Sequence, residues 1–371
     1  MLLLGVGLVW AFSGDGPEPT MNNSPANTAA CDKKLAFFGT LSGRYGPLGV
    51  SARNGAKLAL NAFRKKNPDC DVELVELDTK DDPKLATKVA EKMAADTSII
   101  GAVGPVYSSE VPTTAPTLAK AGLPTISPAA SGTDLTGNGW DTFHRVIGTD
   151  ASQGPAAAAY LDQIGAERVA VVTDKNPYFK EITEGVEEGL GSNALKTMSY
   201  DGADPEYGKM IKYIKKSVIH AVYFSGYGDD AEAFLKKLRA AKLSVRVLAP
   251  DTAYDNDIVD TADRLKHFAV SCTCAPPDQV DEDFRIAYEQ AYGRRPGNYA
   301  AEAYDAANVF LDGIAEDKGS REDMLHFIKR YSERGITKKI KFDSDGEIEP
   351  TAPVWFYGVE NGRFTYDRRI D

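Results

Sequence analysis

The stretch SIIGAVGPVYSSE, residues 98–110, contains the unit that decides the fold. Its first part is a short apolar run, which is typical of a strand buried on both faces of a sheet. The run ends at Gly104-Pro105, and Ser108 opens a helical pattern that continues to Lys120. Short buried strands followed by helices favour a parallel sheet that is covered on both faces.

The same strand–helix unit recurs along most of the chain. Further strands are predicted on both sides of the first unit, at residues 35–41, 72–77 and 124–127. The pattern restarts after Gly148 and gives a second set of predicted strands, at residues 168–174, 195–199, 220–226 and 245–250. Two such sets predict an α/β fold with two doubly wound parallel-sheet lobes. After a second join at residues 272–277, the C-terminal segment alternates around Asp-Gly and Asn-Gly turns, as hairpins do.

Composition narrows the class of function. The chain has 371 residues, more than one core usually organises, so two domains are expected. The formal net charge of −11 argues against nucleic-acid binding, because a phosphate-binding face needs a basic surplus. The sequence has no GxSxG, no GxxxxGK[ST], no HExxH and no GxGxxG after a strand. We therefore expect a binding protein, not an enzyme, with no cofactor.

The N-terminus resembles a targeting segment. Residues 1–12 form an apolar stretch that is too short to span a bilayer but matches the apolar region of a secretory signal. The basic segment that usually precedes such a region is missing, so a cleaved signal, an uncleaved signal and a membrane anchor all stay open. Residues 13–30 have the composition of a disordered tether. We expect an extracytoplasmic protein, in the periplasm or at the cell surface.

Four cysteines fit an oxidising compartment. Cys31 precedes the first predicted strand and Cys70 the second, so a disulfide between them and two buried thiols both stay open, as does lipidation of Cys31. Cys272 and Cys274 lie two residues apart, where a bridge is one interpretation and simple packing the other. The histidines show no metal-ligand spacing, so no metal site is expected.

Polar residues directly after the strands are the candidate site, because ligands of doubly wound sheets bind outside the carboxyl ends of the strands. Ser108 follows the strand at 98–105, and the loop SPAASGTD (127–134) follows the next one. Both segments enter helices, whose free N–H groups and positive dipole ends favour a carboxylate or phosphate. Ordinary N-capping by serine is the alternative. The two loops together predict a site for a small anionic group.

The second set of strands offers a different chemistry. Tyr178, Tyr227 and Asp251 each follow one of its strands. Across a cleft they would suit a small ligand that has a cation and an apolar part. Taken singly, such a tyrosine is typical of packing and such an aspartate of a helix cap, so the interpretation depends on the arrangement.

In these segments the chain resembles the leucine/isoleucine/valine-type substrate-binding proteins of ABC transporters, which have the type I periplasmic-binding fold. The resemblance covers residues 31–365. It is carried by LSGRYGPLGVSARNGAKLAL, ISPAASGTDLT, DASQGPAAAAYL, VVTDKNPYFKEITEGVEEGL, FSGYGDDAEAFLKKLRAAKL and AEAYDAANVFLDGI, in this order. It implies a protein that captures a small amino acid, with the branched-chain type favoured, and delivers it to a membrane ABC permease.

The resemblance also implies how the polar end of the ligand is bound. Ser108 and the loop containing Ala129, Ala130 and Ser131 would hold the α-carboxylate and α-ammonium groups. In this set the Ala129 carbonyl would accept a hydrogen bond from the ammonium group. Asp251 would pair with the same ammonium group, where the family has the longer glutamate.

The apolar end of the ligand would contact tyrosines. The resemblance places Tyr178, Tyr227 and Tyr299 around the side chain of the ligand. Leu48 stands where the family has an aromatic residue, which implies a roomier pocket. Glu302, one helical turn from Tyr299, would either face the cleft and favour a more polar ligand, or be a solvated or capping residue.

The resemblance further implies a three-strand hinge, with crossings near Gly148, Pro276 and Pro350. We expect a monomer. Two alternatives stay open, namely an amide, urea or a polar or aromatic amino acid as the ligand, and a ligand-sensing domain of a receptor. The predicted boundaries are residues 1–30 for the signal or anchor and tether, residues 31–148 plus 276–350 for lobe 1, and residues 149–275 plus 351–371 for lobe 2.

Overall fold

The structure is a computed structural model, and it describes most of the chain after the N-terminal segment. The described residues are 30–43, 45–176, 178–201, 207–254, 258–265, 267–276, 280–349 and 352–370. The predicted signal segment, nearly all of the tether and the predicted crossing at Pro350 lie outside them. No helix in these ranges has the length and apolar character needed to cross a membrane.

The first sheet is built from the N-terminal strand–helix units. Its strands are β1 (Lys34–Gly39), β2 (Glu73–Asp78), β3 (Ile99–Val103), β4 (Thr125–Ser127) and β5 (Phe143–Arg145). The connecting helices are α1 (Gly46–Lys66), α2 (Pro83–Ala95) and α3 (Val111–Lys120). All five strands are parallel, in the order β2-β1-β3-β4-β5. Helix α2 shows how the sequence starts these helices, because the Asp82 carboxylate accepts the N–H of Lys84 at 2.8 Å and Pro83 takes the first position.

The middle of the chain forms most of a second sheet. Its strands are β6 (Val169–Asp174), β7 (Ala194–Tyr200), β8 (Ala221–Ser225), β9 (Arg246–Ala249) and β10 (Phe268–Cys272). The helices of this part are α4 (Asp150–Gln163), α5 (Tyr178–Leu190), α6 (Tyr207–Lys216), α7 (Gly228–Ala240) and α8 (Val259–Asp263). These five strands are parallel, as the buried apolar runs predicted.

The C-terminal part of the chain adds helices that pack against the first sheet and two strands that join the second sheet. It contains α9 (Glu282–Tyr292), α10 (Ala300–Ala315), α11 (Arg321–Ile328), β11 (Ser332–Arg334), β12 (Lys339–Lys341), β13 (Val354–Glu360) and β14 (Arg363–Ile370). Helix α10 packs so closely on α1 that a Cβ atom at Gly55 would overlap the carbonyl oxygen of Ala300. The antiparallel pair β13–β14 instead completes the second sheet, in the order β14-β13-β10-β9-β8-β6-β7. The predicted α/β fold with two parallel-sheet lobes is confirmed, whereas the lobe boundaries stay a prediction.

The structure contains two disulfides, which resolves the alternatives that the cysteine spacing left open. Cys31 and Cys70 are bridged, with their Cα atoms 4.7 Å apart, at the amino ends of β1 and β2. This bridge uses the Cys31 sulfur and therefore contradicts its lipidation. Cys272 and Cys274 form the second bridge, with a Cα separation of 5.0 Å, where the chain leaves β10.

Candidate ligand-binding site

Serine hydroxyls hold together the two loops that follow β3 and β4. The Ser127 hydroxyl donates to the carbonyl of Pro105 at 2.7 Å and accepts the N–H of Ala130 at 2.9 Å. The Ser108 hydroxyl accepts the N–H of Gly132 at 3.0 Å. Ser108 therefore contacts the loop after β4, as predicted, and its hydroxyl is hydrogen-bonded to the backbone of this loop.

Ser131 is the residue of this loop that keeps polar groups available. Its carbonyl accepts the N–H of Asp150 at 2.8 Å. Its own N–H and hydroxyl have no hydrogen-bond partner among the described residues, although Ser131 is only 5% exposed. The Ala129 carbonyl likewise has no partner in this part of the structure. Two donors and one acceptor thus lie together at the carboxyl end of the first sheet.

Ala130 differs from its neighbours and requires a correction. It was predicted among the residues whose backbone contacts a ligand, but both of its backbone groups already have protein partners. Its N–H donates to Ser127, and its carbonyl accepts from the Arg145 guanidinium at 3.1 Å. Both backbone groups are therefore bonded inside the first lobe, and Ala130 holds the shape of the loop.

Asp251 lies opposite, in the short helical turn that follows β9. Its Oδ2 accepts the hydroxyl of Tyr299 at 3.0 Å, and its Oδ1 accepts the side-chain amide of Gln153 at 3.4 Å. Burial raises the pKa of Asp251, while these two hydrogen bonds lower it. No cation pairs with this carboxyl group within the described residues. Asp251 is only partly exposed, and a carboxylate that is partly removed from water without a cation is costly, so the site favours a positively charged partner.

Gln153 connects the two halves of the site. It is fully buried on α4, its amide N–H also donates to Asp150 at 3.1 Å, and its carbonyl oxygen accepts from Ser271 at 3.0 Å. Because the N–H of Asp150 binds the carbonyl of Ser131, a chain of hydrogen bonds runs from the Ser131 loop to Asp251. Gln153 was not predicted as a site residue, although the segment DASQG that contains it follows the predicted first crossing.

Aromatic residues lie just after the carboxyl ends of strands in both sheets. Tyr227, which precedes α7, is 40% exposed and packs edge-on against Phe179 with ring centroids 5.1 Å apart. Burial raises the pKa of Tyr227, and Tyr45 of the first lobe raises it further. Tyr45 packs edge-on against Tyr107. Tyr45 was not predicted, and the signal for it was the glycine-rich loop SGRYGPLG after β1.

Three further predicted residues have different outcomes. Tyr299 is buried in a left-handed conformation before α10, and its hydroxyl orients the Asp251 carboxylate. Leu48 is half-buried in the first turn of α1, against the core of the first lobe. Tyr178 is the first residue of α5, and its side chain lies outside the described residues. Ligand contacts of Tyr178 and Leu48 therefore stay predictions.

Glu302 was predicted to face the cleft or solvent, or to cap a helix, and the structure corrects this. Its side chain is fully buried, and its Oε1 accepts the N–H of Ala275 at 2.7 Å, whereas its Oε2 has no hydrogen-bond partner among the described residues. Burial raises the pKa of Glu302 to about 7, against the opposing effect of the nearby Lys338. Lys338 donates to the carbonyl of Val146 at 2.7 Å. Both side chains thus contact segments where the chain passes between the sheets.

The buried Glu302 predicts a pH dependence of stability. Because burial raises its pKa, the folded protein keeps this proton at pH values where the unfolded chain releases it. The unfolding free energy of the wild type therefore falls between about pH 4.5 and pH 7. Urea denaturation at pH 5 and at pH 8 gives the unfolding free energy of Glu302→Gln minus that of the wild type. We expect this difference to be about 2–3 kcal/mol more positive at pH 8 than at pH 5.

The control for this prediction is an exposed glutamate at the end of α10. Glu316→Gln should show the same stability difference from the wild type at both pH values, since Glu316 is exposed. A stability difference for Glu302→Gln that does not change with pH would contradict the assignment of the raised pKa to Glu302.

Comparisons with known proteins agree with this fold. Residues 33–363 match the family model described as periplasmic binding protein. The chain is 30% identical over 326 residues to the Leu/Ile/Val-binding protein of Escherichia coli (strain K12), covering 86% of this chain and 88% of that protein. It is 25% identical over 330 residues to the leucine-, isoleucine-, valine-, threonine- and alanine-binding protein of Pseudomonas aeruginosa, covering 86% of this chain and 88% of that protein.

Solved structures show the same architecture. The branched-chain amino acid transporter substrate-binding protein of Streptococcus pneumoniae, in complex with isoleucine, superimposes with a TM-score of 0.78 at 21% identity, over 90% of this chain and 99% of that one. A leucine binding protein of Thermotoga maritima gives a TM-score of 0.76 at 22% identity, over 91% and 99% of the two chains. The chain therefore belongs to the periplasmic binding protein family, and it is a substrate-binding protein with the type I fold, not an enzyme.

Proposed function

We propose that this protein binds a small amino acid of the branched-chain type between its two lobes and delivers it to an ABC permease. The observation that carries the proposal is the partly buried carboxylate of Asp251, which has no cation partner among the described residues. An α-ammonium group would pair with it. A full zwitterion can be buried when both of its charges are paired and hydrogen-bonded.

The first lobe would bind the other end of the zwitterion. The N–H and hydroxyl of Ser131 are donors without a protein partner in the described structure, and the α-carboxylate would accept from both. The Ala129 carbonyl would accept from the ammonium group. The chain of hydrogen bonds through Asp150 and Gln153 supports this arrangement, because it links the Ser131 loop, which would bind the carboxylate, to Asp251, which would bind the ammonium group.

The ligand would act by stabilising the closed form of the two lobes. We take lobe 1 as residues 31–148 plus 276–350, and lobe 2 as residues 149–275 plus 351–371. A ligand that contacts Ser131 in lobe 1 and Asp251 in lobe 2 binds best when the lobes are together, so it shifts the population toward closure. The closed monomer would be the form that the permease recognises.

Three observations support the branched-chain preference and the extracytoplasmic location. Related proteins of this length are named for binding leucine, isoleucine and valine. Tyrosines at 45, 107 and 227 follow strands of the two sheets, as the site residues do, and they would contact an apolar side chain. The two disulfides fit an oxidising compartment outside the cytoplasm.

The experiment that tests the proposal is a thermal-unfolding panel on the purified protein. It contains the twenty amino acids, urea and two analogues of leucine, namely leucinamide without the carboxylate and 4-methylpentanoate without the amino group. At 100 times its Kd, a ligand stabilises by about 2.7 kcal/mol, which raises Tm by a few degrees. We expect leucine, isoleucine or valine to raise Tm and both analogues to fail at the same concentration.

The panel also separates the alternatives. A Tm rise with urea or with a polar amino acid only would contradict the branched-chain preference. A Tm rise with 4-methylpentanoate equal to that with leucine would show that Asp251 does not pair with an ammonium group. If no compound changes Tm, the proposed function is wrong.

A further inference from the structure

Arg145 is a buried arginine next to the candidate site that the proposed ligand does not touch. It is the last residue of β5 and is fully buried. Its Nη1 donates to the carbonyls of Ala130 at 3.1 Å and Gly132 at 2.6 Å. These two carbonyls lie on either side of Ser131. One guanidinium group is therefore hydrogen-bonded to the loop on both sides of Ser131, whose N–H and hydroxyl remain available.

Glu347 holds the opposite side of the guanidinium group. Its carboxylate accepts from Nε of Arg145 at 2.7 Å and from Nη2, which makes a two-pronged ion pair. It also accepts from the hydroxyl of Thr136, which follows the same loop. Charged bidentate pairs of this kind fix geometry as well as contribute energy. The carboxylate thus sets the direction in which the guanidinium group can point.

The turn that carries Glu347 is built to reach this position. The Asp343 carboxylate accepts the N–H groups of Asp345 and Glu347, at 2.9 and 3.0 Å. Gly346 has a φ of +88°, and a Cβ atom there would overlap the carbonyl oxygen of Phe143. Only glycine allows this approach, in which the Gly346 carbonyl accepts the N–H of Arg145 at 3.0 Å. The turn DSDGE is therefore seated directly on β5.

We propose that Arg145, held by Glu347, is a positioning residue that fixes the Ser131 loop for the carboxylate of the ligand. The inference rests on the proposed function, because it assumes that Ser131 binds a carboxylate. Lysine at position 145 offers one point charge instead of a planar fork, and it cannot bind the Glu347 carboxylate and both carbonyls at once. The loop then loses its alignment, while the second lobe and its aromatic residues are unchanged.

The test compares two ratios of dissociation constants in Arg145→Lys and in the wild type. The ratio of leucinamide to leucine reports recognition of the carboxylate, and the ratio of alanine to leucine reports recognition of the side chain. We expect the first ratio to fall about tenfold, since one charged hydrogen bond is lost or misaligned, and the second to stay within about twofold. Glu347→Gln, which keeps the shape but removes the charge, should lower the first ratio in the same direction.

A matched control is available in Arg321 at the start of α11. Its guanidinium group donates to backbone carbonyls of the first lobe, at residues 93, 94, 96, 99 and 121, none of which belongs to the Ser131 loop. Arg321→Lys should lower Tm and leave both ratios unchanged. If Arg145→Lys weakens all three compounds equally, as Arg321→Lys would through stability alone, the positioning role is wrong.

A second measurement does not depend on the ligand. Amide hydrogen exchange of the unliganded protein, followed by mass spectrometry over residues 127–136, reports how firmly the loop is held. We expect faster exchange there in Arg145→Lys and Glu347→Gln, but not in Arg321→Lys. Unchanged exchange in the first two variants would overturn the inference. If the wild type binds no amino acid but the loop exchanges faster in these variants, the proposed function fails while Arg145 still fixes the loop.

Discussion

Replacement of Asp251 by alanine should abolish amino-acid binding. We expect the affinity for the best amino acid to fall by at least two decades, because removal of one partner of a buried ion pair costs about 3–5 kcal/mol. The variant leaves the ammonium group of the ligand enclosed without a counter-charge. Isothermal titration calorimetry with wild type and variant measures the loss directly.

Two controls separate this loss from damage to the fold. The Tm of unliganded Asp251→Ala should stay close to that of the wild type, because relief of a carboxylate whose pKa is raised by burial offsets the hydrogen bonds lost from Tyr299 and Gln153. Tyr299→Phe removes a hydroxyl that donates to this carboxylate but keeps the charge, so it should weaken binding less, by about 1–2 kcal/mol. A change in affinity of less than about threefold for Asp251→Ala (~0.7 kcal/mol) would show that the ammonium group binds elsewhere.

Removal of the disulfide between Cys31 and Cys70 should lower the unfolding free energy more than removal of the disulfide between Cys272 and Cys274. The bridge joins residues 39 positions apart, so it restricts the unfolded chain substantially. For a loop of this length, the chain-entropy relation gives about 4 kcal/mol of unfolding free energy. We expect the double variant Cys31→Ser/Cys70→Ser to lose this amount in urea denaturation, while its affinity for amino acids stays unchanged because the bridge lies at the amino ends of the strands.

The second disulfide provides the comparison. Cys272 and Cys274 are two positions apart, and the same relation gives only about 1.5 kcal/mol for so short a loop. The double variant Cys272→Ser/Cys274→Ser should therefore lose less stability than the first. Equal losses in the two double variants would contradict the entropic account of the Cys31–Cys70 bridge.

The features that local sequence determines could be predicted. Strand β3 was recognisable because a buried parallel strand is a continuous apolar run, and its end gave the position of Ser108. The loop at Ser131 was recognisable for the same reason, since it follows the next strand directly. Periodicity and strand ends are properties of neighbouring residues, so they can be read without knowledge of the fold.

The features that depend on distant residues could not be predicted. Arg145 and Glu347 are 202 positions apart, and no local pattern connects them. Ala130 was assigned a ligand contact through the resemblance, which implies backbone contacts from this loop, but its backbone groups are already bonded to Ser127 and Arg145. The prediction for Glu302 assumed that Tyr299 lies on the same helix, whereas Tyr299 has a φ of +62° and precedes α10. The helical spacing between the two residues therefore does not apply.

The packing of α10 on α1, and of Glu347 on Arg145, has a consequence for biosynthesis. When a ribosome has made the chain only as far as β10, helix α1 still lacks α10, and Arg145 still lacks Glu347. Domains usually fold as units while the chain emerges. Here the N-terminal half cannot complete its core before residues 300–347 have been made. The first lobe therefore stays incompletely packed until late in synthesis.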